Sequence, residues 1–227
     1  MTEGISATAF LEADGVEEWR VISDGAVAFF PTDSFAASAR FVQAISELDS
    51  GDPPDVDIRS GGVTVRLITV EDGYYGMVQR DIERARGISE VARQQGLSAD
   101  PSAVQSVLLI VGSLSNPEVM PFWQAVLGYD RRPDSPDEDL VDPSDRGPAL
   151  WFETMEQPRP DGGGAIHVAV WLPYEEAEAR VAAALAAGGR MVRDDYAPAS
   201  WTLADAAGNE ADVATIKDRD EVFRDTP

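Results

Sequence analysis

Apolar and polar positions divide the first half of the chain into short strands and two amphipathic helices. Apolar residues recur at helical spacing over residues 34–48 and again over residues 77–95. Residues 26–30 and 63–69 have the composition and alternation typical of half-buried strands. This order predicts a small α+β domain in which helices cover an antiparallel sheet.

Beyond a polar, proline-containing segment at residues 97–102, one order of elements occurs twice. The first set comprises the strand 104–111, the helix 118–127, an acidic loop at 131–148 with one or two short strands, and the strand 149–155. The second set comprises the strand around His167, the helix 174–187, and the strands 190–193, 200–203 and 210–216. The pattern predicts a βαβββ unit repeated at a period of roughly 60 residues. The predicted domains are residues 1–98 and 99–227.

The strand around His167 contains the only histidine of the chain. If the strand alternates, His167 shares one face with Ala169 and Trp171. The chain has no cysteine, so any acid–base or metal chemistry must use His167 or carboxylates.

Composition then narrows the class of protein. A hydrophobic fraction of 44% over 227 residues is that of a folded globular chain. The net charge of −23 argues against nucleic acid and anionic membranes as partners, because both need clustered Lys and Arg. No apolar run has the length of a membrane span, and the N-terminus lacks the pattern of a secretory signal. We therefore expect a cytoplasmic protein.

Several features of the first half follow one family. They are Trp19, a phenylalanine-rich strand, a helix bearing Phe41-Val42, the strand 63–69 and the segment 76–82. In this order they resemble the pterin-4a-carbinolamine dehydratase family over about 90 residues. The resemblance implies a helix-covered antiparallel sheet.

The catalytic motifs of that family are incomplete in this chain. The family uses a His-His-Pro motif and a Thr-His motif, which correspond here to Asp52, Pro53 and Pro54 and to Thr69 and Val70. Every histidine is absent, although histidine is the side chain that exchanges protons near neutral pH unaided. Three carboxylates could replace it only if the fold buried them: Asp52, Glu71 and Asp72. The resemblance thus implies a degenerate domain, kept for dimerisation or for holding a ligand without reaction.

The second half carries motifs of a different family. They are Asn116-Pro117-Glu118, the segment 122–129, the tripeptide Ile166-His167-Val168 and the segment 201–210. These motifs resemble glyoxalase-like or bleomycin-resistance-like members of the vicinal oxygen chelate superfamily. The resemblance implies paired βαβββ modules that curl into an open barrel around one small-molecule cavity.

Metal-dependent members of that superfamily use four protein ligands. The first ligand position falls on residues 107–109, which cannot coordinate a metal, and Gln105 is the nearest polar side chain. The second falls near Glu153, the third on His167 and the fourth on Asp212. A three-ligand site for Fe(II), Mn(II) or Zn(II) remains open. We expect no metal and no other cofactor.

The expected partner is a small organic molecule, bound for sequestration or for metal-free lyase or isomerase chemistry. In the second case His167 is the general base, oriented by Asp212 or Glu153. The candidate ligand contacts are Trp151, Trp171, Gln105 and Trp201. Two alternatives stay open, a metal-dependent lyase or dioxygenase and a pterin dehydratase that uses carboxylates. The expected assembly is a homodimer.

Overall fold

The structure of the protein is a computed structural model. It describes residues 3–48, 53–156, 166–204 and 210–219. At positions 122, 125, 126, 166 and 167 it describes the backbone but not the side chain. The chain divides into two compact units, Met1–Val104 and Gln105–Pro227. Each unit is a mixture of helices and strands.

The first unit contains a four-stranded antiparallel sheet in the order β1-β2-β4-β3, a separate hairpin and three helices. Its elements are α1 (Ala7–Leu11), β1 (Arg20–Ile22), β2 (Gly25–Pro31), α2 (Phe35–Ser46), β3 (Asp55–Arg59), β4 (Gly62–Leu67), β5 (Thr69–Glu71), β6 (Tyr74–Gly76) and α3 (Gln79–Gln94). The two predicted helices and the two predicted strands are confirmed. Helix α1 and the β5–β6 hairpin were not predicted from the periodicity.

The core of the first unit is aromatic. Phe30 on β2 packs edge-on against Trp19, with ring centroids 6.4 Å apart, and against Phe41 on α2, at 4.9 Å. The buried indole N–H of Trp19 donates a 3.0 Å hydrogen bond to Oγ of Ser89 on α3. These contacts hold both long helices to the sheet.

The segment that follows α3 belongs to the first unit. The backbone N–H of Asp100 donates to the carbonyl of Phe29 at 2.8 Å, and that of Ala99 donates to Oε1 of Glu18 at 3.1 Å. A 3₁₀ turn follows at Pro101–Ala103. The two compact units divide after Val104. The predicted domains, residues 1–98 and 99–227, stay a prediction.

The second unit repeats the order strand, helix and three strands. Its elements are β7 (Ser106–Ser113), α4 (Asn116–Leu127), β8 (Asp130–Arg131), β9 (Asp139–Val141), β10 (Ala149–Thr154), β11 (Ile166–Trp171), α5 (Tyr174–Ala186), β12 (Arg190–Arg193), β13 (Ser200–Ala204) and β14 (Glu210–Ala214). The predicted acidic loop contains the short strands β8 and β9. Helix α4 has a proline in its first turn and ends at Gly128, whose φ of 68° suits glycine.

Eight strands of the second unit form one sheet in the order β12-β13-β14-β11-β7-β10-β9-β8. Strands β7 and β11 open the two repeats, and they pair antiparallel in the centre from Ile166 beside Val111 to Trp171 beside Ser106. Strand β10 is parallel to β7, and β14 is parallel to β11. The described strands do not close into a barrel, and the predicted curvature around a cavity stays a prediction.

No helix in the described part of the chain combines the length and the apolar character that crossing a membrane requires.

Candidate ligand-binding face

Helices α4 and α5 pack on the same side of the eight-stranded sheet. Helix α4 covers a cluster that includes Leu109, and α5 covers a cluster that includes Val170. Leu109 pairs with Val168, which lies two residues before Val170 on β11. Because paired and alternate residues share a face, both clusters lie on one side of the sheet.

The opposite side of this sheet is called the distal face. It carries the residues that alternate with those of the two clusters: Ser106, Leu108, Ile110, Gly112, Ala149, Trp151, Glu153, Ala169, Trp171, Ser200, Thr202, Ala204, Glu210, Asp212 and Ala214. Both repeats contribute residues to the distal face. Strands β7 and β10 belong to the first repeat, and β11, β13 and β14 belong to the second.

Strand pairing arranges the distal face in three rows. The first row places Trp151 beside Ile110, which pairs with the backbone of His167. The second row comprises Ala149, Leu108, Ala169, Asp212 and Thr202. The third row comprises Ser106, Trp171, Ala214 and Ser200. The middle row is therefore apolar at Ala149, Leu108 and Ala169 and polar at Asp212 and Thr202.

Trp171 is the most distinctive side chain of the third row. It is only 7% exposed, and the guanidinium carbon of Arg219 lies 4.6 Å from the centroid of its ring. In the described part of the chain, its buried Nε1 has no hydrogen-bond acceptor. Buried indole N–H groups ordinarily have one, so this donor is unsatisfied among the described residues.

Asp212 is held by its neighbour across the sheet. The hydroxyl of Thr202 on β13 donates a 2.7 Å hydrogen bond to Oδ1 of Asp212 on β14. This bond orients the carboxylate on the distal face, at the position that pairs with Ala169.

The three predicted catalytic residues occupy separate strands of this sheet. The backbone of His167 lies in the first row, and the description does not extend to its side chain. Glu153 is exposed near the end of β10 and pairs with Gly112. Strands β7 and β11 lie between β10 and β14, so Glu153 and Asp212 are three strand steps apart, about 14 Å across the strands, and they are also offset by about 13 Å along them. The predicted triad stays a prediction.

Two predicted ligand contacts lie away from the distal face. Trp201 pairs with Val213 and packs with it in the cluster beneath α5, on the other side of the sheet from Trp171. Gln105 is exposed and comes immediately before β7. Trp151 and Trp171 share the distal face, as their strand positions indicated.

The residues of the degenerate pterin motifs in the first unit are also separated. Asp52 lies outside the described residues. Thr69 is buried and its hydroxyl donates to Oδ2 of Asp81 at 3.3 Å. Glu71 and Asp72 are exposed at the turn of the β5–β6 hairpin. These two carboxylates lack the burial that replacing a histidine would require.

Sequence reasoning missed a buried ionic cluster around Asp81. Asp81 is fully buried in the first turn of α3, where its Oδ2 accepts the N–H of Val78 at 2.9 Å. Nη1 of the buried Arg84 lies 3.6 Å from its Oδ1. The sequence did contain a signal for this position. Asp81 comes three residues after Val78, the N-cap of α3, and an acid at that position commonly caps a helix.

The acidic loop of the second unit contains a structured carboxylate. Asp142 accepts hydrogen bonds from the backbone N–H groups of Ser144, Arg146 and Gly147, at 2.7, 3.0 and 2.8 Å. These bonds hold the pKa of Asp142 below its ordinary value. Burial, and then the charge of Asp142, raises the pKa of Tyr129.

The sequence of the second unit was compared with models of known protein families, and one family matches it. Residues 114–214 match the family model of the glyoxalase-like domain. The matched segment covers 101 of the 227 residues and lies within the second unit. The match supports the resemblance of this unit to the vicinal oxygen chelate superfamily, whereas the pterin dehydratase resemblance of the first unit stays a prediction. No curated protein matches the sequence.

Two solved structures show distant likeness. One is the NAD-dependent benzaldehyde dehydrogenase from Legionella pneumophila, with 13% identity and a TM-score of 0.36. The other is a glyoxalase/bleomycin resistance protein/dioxygenase superfamily member from Vibrio splendidus 12B01, with 16% identity and a TM-score of 0.32. Each alignment covers 49% of this chain and 99% of the other. At these TM-scores neither likeness supports an argument about function.

The distal face does not fit a four-ligand metal site. On β7 it presents Leu108 and Ile110, whose alkyl side chains offer no donor. Among the described side chains, no three of His, Cys, Asp or Glu lie close enough together to hold a metal ion. The absence of a metal from this face stays a prediction.

Proposed function

We propose that the second unit binds a small organic molecule on the distal face, without a metal ion in the site. The observation that carries this proposal is the combination of two tryptophans, Trp151 and Trp171, on one face with Leu108 and Ile110 between them. Flat apolar walls with few polar groups are typical of small-molecule sites. The glyoxalase-like domain at residues 114–214 supports the same class of function.

Within this proposal, sequestration requires no further groups. Metal-free lyase or isomerase chemistry would need a base at His167, with Asp212 or Glu153 to orient it, and this assignment stays a prediction. The hydrogen bond from Thr202 already orients Asp212.

A neutral dye tests binding independently of any charge on the ligand. Nile red fluorescence is expected to rise saturably on mixing with the full chain, with one site per chain. Leu108→Asp places a charge in the middle row and is expected to weaken the affinity at least about tenfold, because an ionised carboxylate resists transfer to an apolar contact.

The matched control is Leu114→Asp, since Leu114 is 56% exposed and comes immediately after β7. It is expected to leave dye binding unchanged. Absence of saturable binding, or equal losses in the two variants, would contradict the proposal.

For the first unit we infer a pterin dehydratase-like domain without dehydratase activity. Buried Thr69 is engaged with Asp81, and Glu71 and Asp72 are exposed, so no described carboxylate is placed as a neutral-pH acid at the motif positions. Purified protein is therefore expected not to accelerate dehydration of a 4a-hydroxytetrahydropterin. Turnover that disappears in a Glu71→Ala, Asp72→Ala double variant would overturn this inference.

A further inference from the structure

The two ends of the distal face differ in chemistry. The third row places the hydroxyl-bearing Ser106 and Ser200 on either side of Trp171, with Ala214 between Trp171 and Ser200. The first row presents Trp151 and Ile110. A molecule lying along β7 and β11 would therefore meet hydrocarbon at Leu108 and Ile110 and hydrogen-bond donors at the third row, whereas the carboxylates of Glu153 and Glu210 belong to the far end of β10 and of β14.

Two of the donors at the polar end suit an anion. The indole N–H of Trp171 is buried and has no acceptor in the described part of the chain. Arg219 lies over the same indole at 4.6 Å, and its guanidinium carries five N–H groups that can serve several acceptors. Arginine binds carboxylates with two parallel hydrogen bonds, which makes it the residue suited to this group.

The positive charge beside Trp171 is that of Arg219. Lys217 lies in the same segment after β14, but its Nζ is 3.8 Å from Oδ1 of Asp218 and 6.0 Å from the ring centroid of Tyr174 at the start of α5. The chain as a whole carries −23, so its overall field would not attract an acid. Selection of an acidic ligand would therefore depend on contacts at this end of the face.

We infer that the ligand is an apolar carboxylic acid, whose carboxylate accepts hydrogen bonds from Trp171 Nε1 and from Arg219 and whose hydrocarbon part lies over Leu108 and Ile110. The inference rests on the proposed function of the distal face and specifies its ligand class. Trp171 and the backbone of His167, beside Ile110, are four residues apart on β11, about 13 Å. This length suits an acid with a ring and a short chain.

The test compares 4-phenylbutyrate with its uncharged amide, 4-phenylbutyramide, as competitors of Nile red on the full chain. The acid is expected to bind at least about tenfold more tightly than the amide. Arg219→Gln is expected to remove this preference, and Trp171→Phe, which keeps a ring but removes the N–H, is expected to reduce it at least about threefold.

Arg193→Gln is the matched control, because Arg193 also stacks on an aromatic ring, that of Tyr196 at 4.7 Å, but lies on the edge strand β12. It is expected to keep the full preference. Near-ultraviolet circular dichroism checks that Trp171→Phe folds, and Arg219→Gln tests the inference without altering a buried ring.

The outcomes separate the two proposals. If Nile red binds but the acid and the amide compete equally or not at all, the inference falls and the proposed function stands. Equal preference in Arg219→Gln and Arg193→Gln would also overturn the inference. If Nile red itself does not bind, both proposals fall.

Discussion

The hydroxyl of Thr202 and the carboxylate of Asp212 form a 2.7 Å hydrogen bond between neighbouring strands of the distal face. Thr202 is buried and Asp212 is half-buried. A hydrogen bond to a charged group in such a place contributes about 1.5–3 kcal/mol. The bond therefore stabilises the sheet and also orients the carboxylate of Asp212, which lies in the middle row.

Replacing Thr202 with valine should lower the free energy of unfolding by about 1–3 kcal/mol, because the carboxylate of Asp212 loses a donor. Urea denaturation followed by circular dichroism measures this change. Thr154→Val is the control, since Thr154 is exposed at the end of β10, and it should change stability by less than about 0.5 kcal/mol. Similar losses in both variants would show that the Thr202 bond contributes little.

Helix α3 offers a comparison of two ion pairs of the same spacing. Arg84 and Asp81 are 4% and 0% exposed, whereas Arg93 and Glu90 are 64% and 51% exposed. Arg84→Met should cost about 3–5 kcal/mol because it leaves a buried carboxylate without its cation. Arg93→Met should leave stability nearly unchanged because water screens the exposed pair. Thermal and chemical unfolding of both variants measures the difference, and equal costs would contradict the assigned burial.

Two adjacent glycines in the β3–β4 turn, Gly61 and Gly62, should differ sharply in how well they tolerate replacement by alanine. A Cβ at Gly62, whose φ is 154°, would lie 2.3 Å from the carbonyl oxygen of Phe30, whereas one at Gly61 would meet nothing within 4 Å. Gly62→Ala is therefore expected to destabilise the first unit by more than about 2 kcal/mol. Gly61→Ala should change stability by less than about 1 kcal/mol. Thermal-shift measurements of the two variants test this difference. If Gly62→Ala were as stable as the wild type, the β2–β4 register would be refuted.

Asp142 should make stability depend on acid pH. Its folded-state pKa lies below the ordinary value because three backbone N–H groups bind the carboxylate. The carboxylate thus contributes stability above its unfolded pKa, and this contribution is lost as the pH falls through the folded pKa. Asp142→Asn should lower the thermal midpoint at neutral pH, and the difference from wild type should shrink below about pH 4. A pH-independent difference would contradict the assigned bonds.

Much of the fold followed from periodicity because most elements are amphipathic. The alternation around His167 placed Ala169 and Trp171 on one face, and the register of β11 with β7 agrees. The spacing of apolar residues likewise predicted α4 and α5 to within a few residues. These properties depend on local side-chain alternation, which a single sequence records.

The sequence was less informative where long-range pairing decides the outcome. Trp201 is a predicted ligand contact, and only its pairing with Val213 shows that it packs in the cluster beneath α5. Its contact with a ligand stays a prediction. Nothing in the local pattern of β13 says which of its two faces meets the helix. Similarly, Asp81 lies among charged residues of α3, and only the packing of Thr69 and Arg84 around it shows that it is buried.

The antiparallel pairing of β7 with β11 has a thermodynamic consequence. Because the distal face spans both repeats, each repeat alone would present half of the binding surface. A ligand that contacts Leu108 and Trp171 together would act as a noncovalent cross-link between them. At a ligand concentration of about 100 times Kd it would add about 2.7 kcal/mol to the stability of the joined sheet. Ligand binding and the association of the two repeats in one sheet are then thermodynamically coupled.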